Sequence, residues 1–265
     1  MSEMLAMSFV QNALIAGVLI AIVFGFVSFF VVMQRLSFLT VGVAHSAFGG
    51  VALGIFLGLS PYLTSVVFCL AVAFLIRYQS RKVTAGYDSV TGILFAATMA
   101  LGIILLAIRK SYSFDVVGYL FGSILGIHTI DLLLIGTVCI AVLVFFLLQF
   151  RKLIFMTFDP EVARTSGIPV SLLETGVVVA VTMLVVVSIK MIGIILVTAF
   201  MILPASFSVK RCRSYQCAIV VAITFSLIMF FAGFIVSFRY DVPVGAGIVL
   251  LGTLAYLLLP ARKAQ

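Results

Sequence analysis

The sequence predicts an all-α, polytopic membrane protein: a helix bundle of about eight or nine spans, with a short helix on one side of the membrane. Two observations carry this. Of 265 residues, 65% are hydrophobic and only 9% charged, whereas soluble domains are roughly 25% charged. The apolar residues also fall in long runs near the ~20 residues that cross a bilayer as a helix, and short Lys/Arg clusters separate them. Nearly the whole chain is therefore expected to lie in lipid as a single transmembrane domain over residues 1–265.

The first run covers 7–33 and stops at Gln34-Arg35. Met1-Ser2-Glu3-Met4 lacks a basic signal-peptide start and the run is too long for a signal core, so it is expected to remain as the first span. The second run, 39–59, ends before Ser60-Pro61 and is expected to form a tight helical pair with the first. A third, 62–76, ends in Arg77, Arg81 and Lys82, and a fourth, 89–108, ends in Arg109-Lys110. Residues 111–126 contain Gly, Ser and Tyr and make only half a span, so a re-entrant or interfacial segment is expected before a fifth span at 129–150. After Arg151-Lys152 comes the longest polar stretch, followed by runs at 172–189, 191–209, 215–238 and 243–259.

A formal charge of +8 would suggest nucleic acid in a soluble protein, but clusters between apolar runs set topology instead. Nine alternating spans put the groups at Arg77 to Lys82, Arg151 to Arg164, Lys210 to Arg213 and Arg262-Lys263 in the cytoplasm, with the C-terminus. The N-terminus is then outside, and Arg109-Lys110 are the one basic pair left on the outer side. Cys69, Cys139, Cys212 and Cys217 show no Cys-x-x-Cys pair, so no disulfide framework or zinc knuckle is expected. No Gly-x-x-x-x-Gly-Lys-[Ser/Thr] phosphate loop occurs, so ATP chemistry by that route must belong to another chain. Nor is there a Ser/His/Asp set, a His-Glu-x-x-His or a paired intramembrane Asp, and the chain is not expected to be an enzyme.

Ionisable residues inside a span are costly and usually face a bundle interior or a pathway. His45 is the one well inside an apolar run. It shares a helix face with Gly42, Gly49 and Ala52, small residues that let neighbouring backbones approach. Two readings are open: a hydrogen bond to a carbonyl or hydroxyl across a helix interface, or a metal ligand or gate. One imidazole cannot hold zinc, which takes three or four ligands, so other ligands would come from another helix, a symmetry mate or water. On the outer side, His128, Asp131, Asp115 and Asp241 could draw a cation to a pore mouth, or be merely solvated span ends. Glu174 and Lys190 also sit at span ends and suggest no function.

The best-formed local motif is cytoplasmic. Asp159 suits an N-cap, Pro160 the first helical position and Glu161 the dipole, while Gly167 and Pro169 provide the stop. A helix of about two turns is marginal alone and needs something to dock against, either the membrane surface or a partner.

Several segments, in order over nearly the whole chain, resemble the membrane permease of ABC-type zinc and manganese importers, the metal-ion branch related to the vitamin B12 and siderophore permeases. They are Arg35-Leu36-Ser37-Phe38 with Ala44-His45-Ser46-Ala47 and Gly50 to Gly54; Gly92-Ile93-Leu94-Phe95; Tyr119 to Leu125; the Asp159 to Pro169 motif; Gly193 to Val197 with Leu203-Pro204-Ala205; and Ser237 with Asp241 to Gly245. The resemblance implies a homodimer, cytoplasmic ATP-binding subunits that use the ATP, an external substrate-binding protein, and a multi-pass place in the cell (inner) membrane among its lipids. No nucleic acid or stably bound cofactor is implied, and the zinc or manganese ion is cargo. His45 falls on the family's transport-pathway histidine, and Asp159, Pro160, Glu161, Arg164 and Gly167 on its ATPase-coupling helix. One departure is Val41, where the family has Asp. Losing that hard oxygen ligand tilts the expectation from manganese towards zinc. The rivals are a same-fold importer of a metal chelate or vitamin, an ion-coupled secondary carrier, and a purely structural membrane subunit.

Overall fold

In lipid every backbone polar group must be satisfied within the chain, which these apolar runs achieve by coiling into helices. The computed structural model describes residues 8–80, 86–109, 122, 129–240 and 242–258. Its helices are α1 (Ser8–Met33), α2 (Ser37–Leu57), α3 (Pro61–Ser80), α4 (Gly86–Arg109), α5 (Thr129–Leu148), α6 (Phe150–Phe158), α7 (Pro160–Thr165), α8 (Val170–Val209), α9 (Tyr215–Tyr240) and α10 (Val244–Leu258). Of these, 7 are long and apolar enough to cross a bilayer, with α8 counted once and α10 shorter. The segment expected to be re-entrant, 111–126, lies outside the described residues apart from Gly122.

Two findings refine the expected spans. The runs 172–189 and 191–209 are joined in α8, whose 40 residues are broken at Gly193 (φ 76, ψ 163). At ~1.5 Å per residue a single rod of that length would measure about 60 Å, twice the ~30 Å hydrocarbon core. The break therefore divides α8 into two span-length pieces, which together with the other long helices and α10 accommodates eight or nine crossings. Gly193 occupies a backbone region open essentially to glycine alone, so the break falls there and not at the charged Lys190. Secondly, the chain after Arg151-Lys152 is helical before it reaches the short motif. In α6, Leu153 and Met156 are buried while Arg151 and Lys152 are exposed, a local amphipathic pattern too short to read as a span.

The helices form two compact units. One contains residues 8–35, 122, 129–143, 188–240 and 242–258. Within it small residues set the close approaches: a methyl at Gly25 would stand 2.8 Å from Cα of Ile223, and one at Gly233 2.7 Å from Cα of Ile248. Phe207 stacks on Phe225 at 3.9 Å between centroids.

The other unit contains residues 36–80, 86–109 and 144–187. Helix α2 is its centre and packs on α3 and α4. Large apolar side chains on α3 and α4, among them Leu63, Val67, Ile93, Ile103 and Ile108, face outwards. In water such a surface would drive association; in a membrane it meets lipid.

Candidate functional site

Two stripes of small residues on α2 determine where His45 sits. Along one, a methyl at Gly42 would stand 2.2 Å from Cγ2 of Thr91, and one at Gly49 would stand 2.6 Å from the Thr98 carbonyl oxygen. The imidazole lies between those two contacts and meets the Phe95 ring edge-on at 5.1 Å. Thr91, Phe95 and Thr98 recur at helical spacing, so they present one face of α4. Along the other stripe, α3 is hydrogen-bonded to α2 on both sides of the histidine in sequence: Ser65 Oγ donates to the Ala47 carbonyl at 3.3 Å, and Cys69 Sγ to the Val43 carbonyl at 3.6 Å.

The polar groups around the imidazole are occupied. Thr91 Oγ1 donates to the Tyr87 carbonyl, and Thr98 Oγ1 donates to the Phe95 carbonyl and lies 2.9 Å from Ser46 Oγ. His45 itself, half-buried, makes no hydrogen bond among the described residues.

The outer cluster is only partly described. Asp115, His128 and Asp241 lie outside the described residues. Asp131, in the first turn of α5, is held by Lys190, with Nζ 2.5 Å from Oδ1. A carboxylate so paired draws a free cation less strongly than a bare one. Among the described residues no group of three or more His, Cys, Asp or Glu could hold a metal ion.

The cysteine expectation is corrected. Cys212 and Cys217 form a disulfide across the α8–α9 connection, with Cα atoms 5.7 Å apart, inside the range a bridge requires. A five-residue separation gives no motif signal, and it is the turn that brings the pair together. Cys69 and Cys139 are free and buried.

The polar motif folds as its residues suggest. Asp159 accepts a hydrogen bond from the Val162 amide at 3.0 Å, Pro160 opens α7, and Gly167 closes it at φ 79. Ile168 N–H donates to the Ala163 carbonyl and Gly167 N–H to the Arg164 carbonyl, both at 3.1 Å; this is the glycine-closed Schellman end. Only Ala163 of α7 is buried, and Pro160, Glu161, Val162, Arg164 and Thr165 are exposed.

Residues with no motif of their own tie this region to the spans. Arg77, in the last turn of α3, reaches Glu174 of α8, with Nη2 3.3 Å from Oε2. The same nitrogen donates to the Ser171 carbonyl at 2.5 Å. The other carboxylate oxygen of Glu174 lies 3.9 Å from Nη2 of Arg164.

Helices of span length, with a capped helix exposed between two of them, define a polytopic membrane protein. The chain belongs to the ABC 3 transport family, whose model matches residues 6–263. It is 30% identical over 256 residues to the manganese transport system membrane protein MntC of Halalkalibacterium halodurans, covering 97% of this chain and 88% of that one. It is 28% identical over 246 residues to the high-affinity zinc uptake system membrane protein ZnuB of Haemophilus influenzae, covering 93% of this chain and 94% of the relative. Among solved structures it is similar to PsaBC from Streptococcus pneumoniae in complex with Fab, with a TM-score of 0.83 at 30% identity, covering 96% of this chain and 91% of that one.

Proposed function

We propose that the chain is the membrane permease of an ATP-driven importer of a divalent transition metal ion, with zinc the favoured cargo and manganese next. It works as a homodimer with cytoplasmic ATP-binding subunits, and an external binding protein delivers the ion to the outer mouth. ATP is hydrolysed on the partner chains, because this sequence carries no phosphate loop. The exposed face of α7, comprising Pro160, Glu161, Val162 and Arg164, is the surface on which the ATPase docks, and its movement drives the spans between outward and inward access.

The observation that carries the metal reading is His45: an imidazole in mid-span, half-buried, with an aromatic neighbour and no hydrogen bond among the described residues. A neutral imidazole offers a lone pair to a borderline metal ion. Held by this nitrogen and its symmetry mate, an ion has too few ligands to be trapped, which suits a site that must release its cargo. Relatives named for manganese and for zinc support the class of cargo, and Val41 beside this site supports the softer ion.

The test is metal-dependent ATP hydrolysis by the reconstituted complex with its binding protein, offering zinc, manganese and ferrous iron at matched free concentrations. Stimulation by zinc above the other two is expected. His45→Ala should reduce uptake to the level of protein-free vesicles while the complex still co-purifies. Normal uptake by that variant would remove His45 from the pathway, and indifference to all three ions would remove the bare-ion cargo.

A further inference from the structure

Glu174 makes contact with both the short helix and the spans. One carboxylate oxygen lies 3.3 Å from Arg77 Nη2 and the other 3.9 Å from Arg164 Nη2. The two arginines differ in setting: the Arg77 side chain is 11% exposed and that of Arg164 is 64% exposed. A pair at the outer limit of contact, with one partner mostly in solvent, contributes little and is easily broken. The contact to the more buried guanidinium is the firmer one.

Arg77 is also incompletely satisfied. Its Nε is buried and has no hydrogen-bond partner among the described residues. Nε and Nη2 lie on the same edge of a guanidinium, the edge a carboxylate engages with both oxygens in a side-on bidentate pair. Glu174 therefore has two arrangements to choose between. In the one observed it bridges Arg164 and Arg77. In the other it leaves Arg164 and places both oxygens on Arg77, supplying the acceptor that Nε lacks. The first holds Arg164 loosely, where solvent can replace the carboxylate, and the second satisfies the buried Nε, so the carboxylate has two positions to occupy.

Arg77 leads to the histidine through a single rod. It ends the buried stripe Ser65, Cys69, Val72, Ala73 and Ile76 of α3, and Ser65 and Cys69 donate to the α2 carbonyls of Ala47 and Val43. From Ser65 to Arg77 the helix spans about 18 Å at ~1.5 Å per residue.

We infer that Glu174 is a positioning residue that links the docking helix α7 to α3, and through α3 to the His45 segment of α2, by exchanging a bridge between Arg164 and Arg77 for a bidentate pair on Arg77. This rests on α7 being the surface where the ATPase docks. The exchange transmits α7 movement because Arg164 moves with α7, whereas Arg77 stays with the spans.

The test uses proteoliposomes holding the permease, its ATPase subunits and the binding protein, with zinc and manganese offered separately. The readout is metal ions moved per ATP hydrolysed. Glu174→Gln should leave ATPase co-purification and ATP turnover within about 2-fold of the unaltered complex and lower the ratio at least about 5-fold. Glu174→Asp keeps a negative charge beside Arg77 but is too short to reach both arginines. It should show the same loss, and it carries the test if the Gln variant does not assemble. A purely structural role would lower assembly and leave the ratio of the assembled fraction unchanged. An unaltered ratio in an assembled Gln or Asp variant overturns the relay. Glu161→Lys, on the exposed face of α7, separates the two readings: if it releases the ATPase while Glu174 variants couple normally, docking stands and the relay fails. If it leaves co-purification unchanged, docking itself fails and the relay with it.

Discussion

At the scale of single residues, the proposed preference for zinc predicts an effect of substitution at position 41. Val41 lies four residues before His45 on α2 and is part-exposed, as the histidine is, so side chains at the two positions share a helix face. A carboxylate there would add a hard, anionic oxygen to an imidazole nitrogen, the combination that suits manganese better than a nitrogen-only site. Val41→Asp should raise manganese-stimulated ATP hydrolysis relative to zinc-stimulated hydrolysis by about 10-fold, the equivalent of ~1.4 kcal/mol. The check is the ratio of the two stimulated rates in one preparation. An unchanged ratio would place ion selection elsewhere in the permease or in the binding protein. His45 could be singled out from sequence because its signal is local: one imidazole in an apolar run, on a face of small residues. Its contact with Phe95 could not, since nothing at position 45 specifies which helix faces it.

At the scale of elements, the close packing of α2 on α4 should depend on the size of residue 49. A methyl at Gly49 would stand 2.6 Å from a backbone carbonyl oxygen of α4, whereas one at Gly92, on α4 itself, would find its nearest neighbour at 3.7 Å. Backbone cannot swing aside as a side-chain tip can, so Gly49→Ala must separate the helices and should cost roughly 1–3 kcal/mol. Gly92→Ala meets ordinary contact and should be neutral or stabilising by up to ~1 kcal/mol through helix propensity. Thermal unfolding of both variants in detergent checks the contrast, and equal midpoints would mean that α2 and α4 are less tightly packed than described. The same distinction between local and distant signals explains which elements could be read from sequence. The limits of α7 were evident because Asp159, Pro160 and Gly167 act within one turn of their own position. The ion pairs Arg77–Glu174 and Asp131–Lys190 join residues 97 and 59 positions apart. Charges at span ends carry no mark of their partners at such separations.

At the scale of the whole molecule, orientation brings two physical rules into conflict. Basic residues favour the cytoplasmic side, and Lys210, Arg211 and Arg213 flank Cys212 in the α8–α9 connection. Disulfides persist in oxidising compartments and are reduced in the cytosol, yet Cys212 and Cys217 are bridged here. The charge rule should prevail, because it acts during insertion and involves a second basic-rich segment, Arg151 to Arg164, assigned to the same side. The bridge reflects only that the turn holds two cysteines close enough to join. In growing cells the pair should then be a dithiol on the inner face. A membrane-impermeant maleimide applied to intact cells should leave both residues unlabelled, and the same reagent applied after permeabilisation should label them. A Cys69→Ser/Cys139→Ser background keeps the two buried thiols out of the measurement. Labelling from outside, or resistance to labelling until a reductant is added, would reverse the orientation. It would also move α7 to the outer face, where no ATP-binding subunit could reach it, so this one measurement bears on the docking surface as directly as on the topology.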